Sequence, residues 1–196
     1  MIGQKDKEME NMSKKKRTLV IAMVIILVIV LAYVGLGSYR IQRSEAKARA
    51  VVEAMTEVIP YLSEGGRPSE GLSAPELKAM EVSGYSVVGC LYIPKLELAA
   101  PVAESEVKEM AFTYVYGETS SGEGIGICGT NKGIYGRITE LKEGDPVYFI
   151  DLEGLRYEYI VSNKSDPENE ENEANDLTLC YVDGGSVEKV AGCSKN

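Results

Sequence analysis

At 196 residues, 44% apolar and 26% charged, the chain has the balance of a globular protein with room for one ordinary domain and something smaller. Its formal charge is −9, and the first forty residues hold seven Lys/Arg against three Asp/Glu, so the acidity lies in residues 41–196, which argues against a nucleic-acid partner. There is no histidine, so any catalysis must do without the side chain that most often serves as acid or base near neutral pH.

From Leu19 to Leu36 the sequence reads LVIAMVIILVIVLAYVGL, eighteen residues without a charge. As a helix rising about 1.5 Å per residue, this run approaches the roughly 30 Å hydrocarbon core of a bilayer. No polar stripe at helical spacing interrupts it, as one would in a helix of a soluble core. It exceeds the h-region of about 7 to 15 residues usual in a signal peptide, and Gly35, Gly37 and Ser38 offer a poor cleavage site. An uncleaved transmembrane anchor over residues 18–38 is therefore expected. Lys14, Lys15, Lys16 and Arg17 directly before it place residues 1–17 in the cytoplasm and the rest outside, a single-pass arrangement at the cell membrane. The looser set Arg40, Arg43, Lys47 and Arg49 on the far side weakens that orientation signal.

Arg40 to Leu62 is rich in Ala, Glu, Lys and Arg, with Val51, Met55, Val58 and Leu62 at helical spacing. This predicts a juxtamembrane helix, broken near Pro60, whose apolar stripe packs on the next domain. SEGGRPSEGLSAPEL then reads as a linker in which Ser73, Pro75 and Glu76 cap a short helical turn. Residues 39–82 are thus expected to form a helical stalk and linker, and 83–196 the main domain.

From Gly84 onward the pattern changes to short β-branched and aromatic runs between turn residues: YSVVGCLYIP, LELAAPV, AFTYVY, GIGICG, PVYFID, LRYEYIV, LTLCYV and VEKVAGC. Eight such runs predict a mostly β fold, a small closed or nearly closed barrel. Asp151 to Gly154 (DLEG) has the composition of a hairpin turn, and SDPENEENEAND, Ser165 to Asp176, that of an acidic rim loop.

Three segments carry a resemblance. VVGCLYIPKLELAAPV (Val87–Val102) looks like the opening strands of a sortase. SGEGIGICGTNKGIYGRITELKEGDPVYFID (Ser121–Asp151) is similar to the stretch that holds the sortase catalytic histidine, and LTLCYVDGGSVEKVAGC (Leu177–Cys193) to the stretch that holds the cysteine and arginine. Order, spacing and the layout of anchor, stalk and barrel all agree. The resemblance implies a sortase-like eight-stranded β-barrel preceded by a transmembrane helix and a helical stalk. The activity it implies is cysteine transpeptidation, in which a thiolate attacks a backbone carbonyl in a sorting-signal peptide and an amine resolves the acyl-enzyme. That chemistry needs a thiolate, a proton donor and a group that stabilises the oxyanion.

Position by position the match fails. The family's Ala-Gly-His falls on Cys128, Gly129 and Thr130, so Thr130 stands in the histidine position with a hydroxyl too weakly acidic to protonate a leaving amine. Thr-Leu-x-Thr-Cys falls on Thr178, Leu179, Cys180, Tyr181 and Val182, so Val182 stands in the cysteine position. The arginine falls on or beside Lys189, which keeps the charge without the planar fork. Cys180, two residues before Val182, shares its strand face and is a candidate displaced nucleophile.

The resemblance also implies that the strands bearing the histidine and cysteine positions are parallel neighbours. Cys128 and Cys180 are then expected together on one face, bridged or touching, with Cys90 and Cys193 as a separate pair; four small buried hydrophobes are the alternative. No metal centre or cofactor is expected. Some sortases bind calcium beside the acidic loop, where Asp166, Glu168, Glu170, Glu171, Glu173 and Asp176 offer oxygen ligands, but the spacing lacks an EF-hand pattern and fits a solvated loop. The expected function is a catalytically inactive, membrane-anchored module at the cell envelope that binds a peptide or cell-surface protein. The alternatives are a transpeptidase or hydrolase that uses Cys180 with Lys189 and Thr130 on sorting-signal peptides, and a structural envelope protein.

Overall fold

The computed structural model describes residues 2–72, 74–118, 124–130, 133, 135–163, 175–183 and 186–196, with backbone alone for 2–18, 118, 183 and 188–190. It divides into two units, Met1–Arg40 and Ile41–Asn196. The first unit is helical, part of α1 (Ile2–Val58), and every residue from Leu19 to Leu36 is exposed. An apolar run whose backbone bonds are all satisfied within the helix is the form in which a chain can cross lipid. Among the described residues this is the one helix long and apolar enough to do so.

In the second unit α1 continues from Ile41. Its buried face is Ser44, Ala48, Val51 and Met55, extended by Ile59 just past the helix end, spaced by three and four residues. Val58, expected in this stripe, is 54% exposed. Ile59 follows Met55 by the same four-residue step that separates Val51 from Met55, and so takes the inner position and leaves Val58 at the rim. The helix stops at Val58, at the expected break near Pro60, which disfavours helical geometry in the residue before it. Leu62–Glu64 then forms a short 3-10 turn. Pro75 and Glu76 are not helical, and Ser73 lies outside the described residues.

The strands are β1 (Arg67–Pro68), β2 (Met80–Val82), β3 (Tyr85–Ile93), β4 (Leu98–Ala103), β5 (Thr113–Glu118), β6 (Ile125–Thr130), β7 (Pro146–Asp151), β8 (Leu155–Asn163), β9 (Leu177–Asp183) and β10 (Ser186–Lys195). Each of the eight predicted runs supplies one of β3 to β10. These eight close a ring in the order β3, β4, β5, β6, β9, β10, β8, β7 and back to β3, so the mostly β, eight-stranded barrel is what the chain forms. The β4/β5 and β6/β9 pairs are parallel and the other pairs in the ring antiparallel. The two short strands β1 and β2 add to β8 and β3 from outside the ring, so pairing begins before residue 83.

Closure sorts side chains by the two-residue period of a strand. One cluster fills the interior, including Leu91, Leu98, Ile127, Phe149, Leu177 and Leu179. Tyr135, from the 3-10 turn Tyr135–Glu140, is fully buried in it and donates its hydroxyl to Ile127 O at 2.9 Å. The ring lies directly over Gly129, where any Cβ would collide with it. A second cluster lies outside the ring, where Ala48, Val51, Met55 and Ile59 pack on Val87, Cys90, Phe112 and Ile150. The β7–β8 hairpin turns at the DLEG segment, where buried Asp151 accepts from the backbone N–H of Glu153 and Leu155, each at 2.9 Å, and Gly154 takes a φ of 77° that most residues avoid.

Candidate functional site

The parallel pairing of β6 and β9 sets Cys128 opposite Cys180, Gly129 opposite Tyr181 and Thr130 opposite Val182. Ile127 and Leu179 point into the barrel, so Cys128, Thr130, Cys180 and Val182 belong to the outer face. Here the structure brings together four of the residues singled out from sequence. Cys128 and Cys180 form a disulfide, with Cα atoms 4.5 Å apart and a sequence separation of 52. Both are essentially inaccessible and form a small cluster with Ala103 and Tyr114, against which Val107 and Val182 pack.

Thr130 donates its hydroxyl to Met110 O at 3.0 Å. The backbone of Lys189 in β10 pairs with Cys180; its side chain lies outside the described residues. Cys90 and Cys193 are not paired with one another, contrary to the expected second bridge. Cys90 sits in β3 facing the helix cluster, whereas Cys193 sits in β10 facing the barrel interior, so the sheet itself keeps them apart. Burial pushes both thiols up to about 12. At neutral pH they are protonated, and a thiol, unlike a thiolate, is a poor nucleophile.

The cover over this face is the segment 104–112, the crossover that the parallel β4/β5 pair requires. Sequence reasoning missed it. Ala111 N donates to Ser44 Oγ at 2.8 Å, and Lys47 Nζ donates to Glu109 Oε1 at 2.9 Å. The hydrogen bond from Lys47, assisted by one from Tyr85, holds the Glu109 carboxyl below its ordinary value against the opposing effect of partial burial. One signal was present in the sequence: Ser44 stands in register with Val51 and Met55, both on the buried stripe.

A cavity of about 150 Å³ is lined by Glu45, Arg49, Glu97, Ala99 and Ala111 among others; Cys128, Thr130, Cys180 and Val182 do not line it. Among the described residues no group of His, Cys, Asp or Glu is placed to hold a metal. Of the acidic-loop positions weighed for calcium, Asp166, Glu168, Glu170, Glu171 and Glu173 lie outside the described residues, and Asp176 accepts from Lys195 N at 2.7 Å.

No protein-family model matches the sequence, and no curated protein does. Among solved structures, the chain is similar to sortase A from Corynebacterium diphtheriae, at 18% identity and a TM-score of 0.45 over 84% of this chain and 95% of that one. It is similar to sortase A from Listeria monocytogenes at 22% identity and 0.44, over 56% of this chain and 87% of that one. A third similarity is to sortase E1 from Streptomyces coelicolor, solved with a tripeptide in the active site, at 15% identity and 0.45 over 56% and 88%.

Proposed function

We propose that the chain is a membrane-tethered, sortase-like barrel on the outer side of the cell membrane, catalytically inactive, that serves as a binding or accessory module at the cell envelope. One observation carries the reading. The β6/β9 register faces Thr130 with Val182 where the resemblance expects histidine and cysteine, and the preceding pair, Cys128 and Cys180, is tied up in a disulfide.

Covalent acyl transfer needs a thiolate and an acid for the leaving amine. Cys180, the candidate displaced nucleophile, has no free sulfur while bridged, and Cys90 and Cys193 are buried and protonated at neutral pH. Thr130 spends its hydroxyl on Met110 O and is no acid at neutral pH. The partner class that fits the resemblance is an extended peptide of the sorting-signal type or a cell-surface protein. The basic cluster Lys14–Arg17 before the apolar run supports an inside N-terminus and an extracellular barrel.

The test is to incubate the full chain, in detergent, with a panel of sorting-signal peptides, without and with reductant, and to measure intact mass. No thioacyl adduct is expected on any of the four cysteines under either condition. An adduct that maps to Cys180 and is abolished by Cys180→Ala would overturn the inactive reading in favour of a displaced-nucleophile transpeptidase.

A further inference from the structure

The nine residues 104–112 between β4 and β5 are held by partners distant in sequence. Glu104 N donates to Ser86 O at 3.0 Å at one end of the segment. At the other end Glu109 binds Lys47, Ala111 N binds Ser44, and Met110 O accepts from Thr130. Between these ties Val107 packs against both the disulfide cluster and the cluster built on α1. Two of the anchors, Ser44 and Lys47, thus belong to the helix, and a third, Thr130, belongs to the face being covered.

A bridge between neighbouring strands on the outer face of a barrel would meet solvent unless something lay over it. Cys128 is 0% and Cys180 2% exposed, so the cover is complete as it stands. We infer that the 104–112 crossover is a strap whose closure is set by α1, and that its release from Ser44 and Lys47 opens the Cys128–Cys180 disulfide to a dithiol reductant. In that reaction a thiolate of the reductant attacks one sulfur of the bridge and expels the other as a thiolate, giving a mixed disulfide. The reductant's second thiol then displaces the remaining cysteine. The bridge gains two electrons and two protons and ends as two thiols, and the reductant ends as a disulfide. The inference does not depend on whether the barrel is inactive, because it concerns access to the bridge.

The experiment is native-state reduction of the full chain in detergent micelles with dithiothreitol, quenched at intervals by alkylation and read by peptide mapping. Cys193, buried in the barrel interior on the other side of the sheet, reports global opening in the same sample. Ser44→Ala, Lys47→Ala and Glu109→Gln are each expected to speed reduction of the bridge by about three- to tenfold, the range that loss of one hydrogen bond from a closed state gives. Alkylation of Cys193 should stay at the wild-type rate. Rates unchanged in all three variants would overturn the strap, as would reduction that rises only in step with Cys193 alkylation. Glu109→Gln carries the test if Ser44→Ala fails to fold, since it alters a partly exposed ion pair at nearly constant shape.

Discussion

Strands β6 and β9 present two faces of opposite character. Inward, Ile125, Ile127, Leu177 and Leu179 join the barrel interior beneath Tyr135; outward, Cys128, Thr130, Cys180 and Val182 lie under the crossover strap. The inner face needs only apolar bulk at alternate positions, a demand many sequences meet, since cores accept volume-conserving exchange. The outer face is where, on the proposed function, reactive groups would have to stand at fixed positions, a demand that apolar bulk alone cannot meet. On the proposed function, the inner face supplies the apolar bulk the barrel needs, while Thr130 and Val182 on the outer face supply neither a thiolate nor an acid. Because side chains two residues apart share a face, the two sets could diverge independently.

The outer face nonetheless bears on stability through its disulfide, which gives the largest expected effect. Closing a loop over the 52-residue separation is worth about 4 kcal/mol in the chain-entropy account. Combined Cys128→Ala and Cys180→Ala should therefore lower stability by about that amount in denaturant titration, while far-UV circular dichroism below the midpoint keeps its β character. An unchanged midpoint would mean that the bridge contributes nothing to holding β6 against β9. Single truncations sharpen the contrast between faces. Leu179→Ala, in the interior and fully buried, should cost about 3 kcal/mol. Val182→Ala, half-buried on the outer face, should cost about 1 kcal/mol or less. Equal losses from the two would show that the faces are not energetically distinct.

The barrel was legible because each strand carries its own signal. LRYEYIV alternates so that Tyr157, Tyr159 and Val161 of β8 all fall inside, and DLEG carries the aspartate and glycine that its hairpin uses. The outer face was legible only through the resemblance, which set Thr130 and Val182 in line; the pattern of residues alone does not say that β6 lies beside β9. The strap was not read at all. Its contacts run through backbone atoms, Met110 O and Ala111 N, which leave no mark in a sequence, and Ser44 and Ala111 are 67 residues apart. Val58 was misplaced for a local reason, because a helix about to end can hand its inner position to the next residue, as here to Ile59.

The smallest expected effect concerns the ion pair that fastens the strap. Glu109 titrates below its ordinary value in the folded chain, chiefly because Lys47 donates to it. The folded state therefore binds this proton less tightly than the unfolded state does. Stability from the pair is fully present above the ordinary carboxylate value and is lost as the pH falls through the lower, folded-state value. Lys47 is largely solvated, so the loss is small beside that of the disulfide. In Lys47→Met the Glu109 carboxyl should titrate closer to its ordinary value, read by carboxyl-carbon NMR, and the acid limb of the thermal midpoint should become shallower. A Glu109 titration unchanged by Lys47→Met would mean that Tyr85 and the local backbone, not the helix, hold that end of the strap. The coupling between α1 and the outer face would then rest on Ser44 and the packing of Val107.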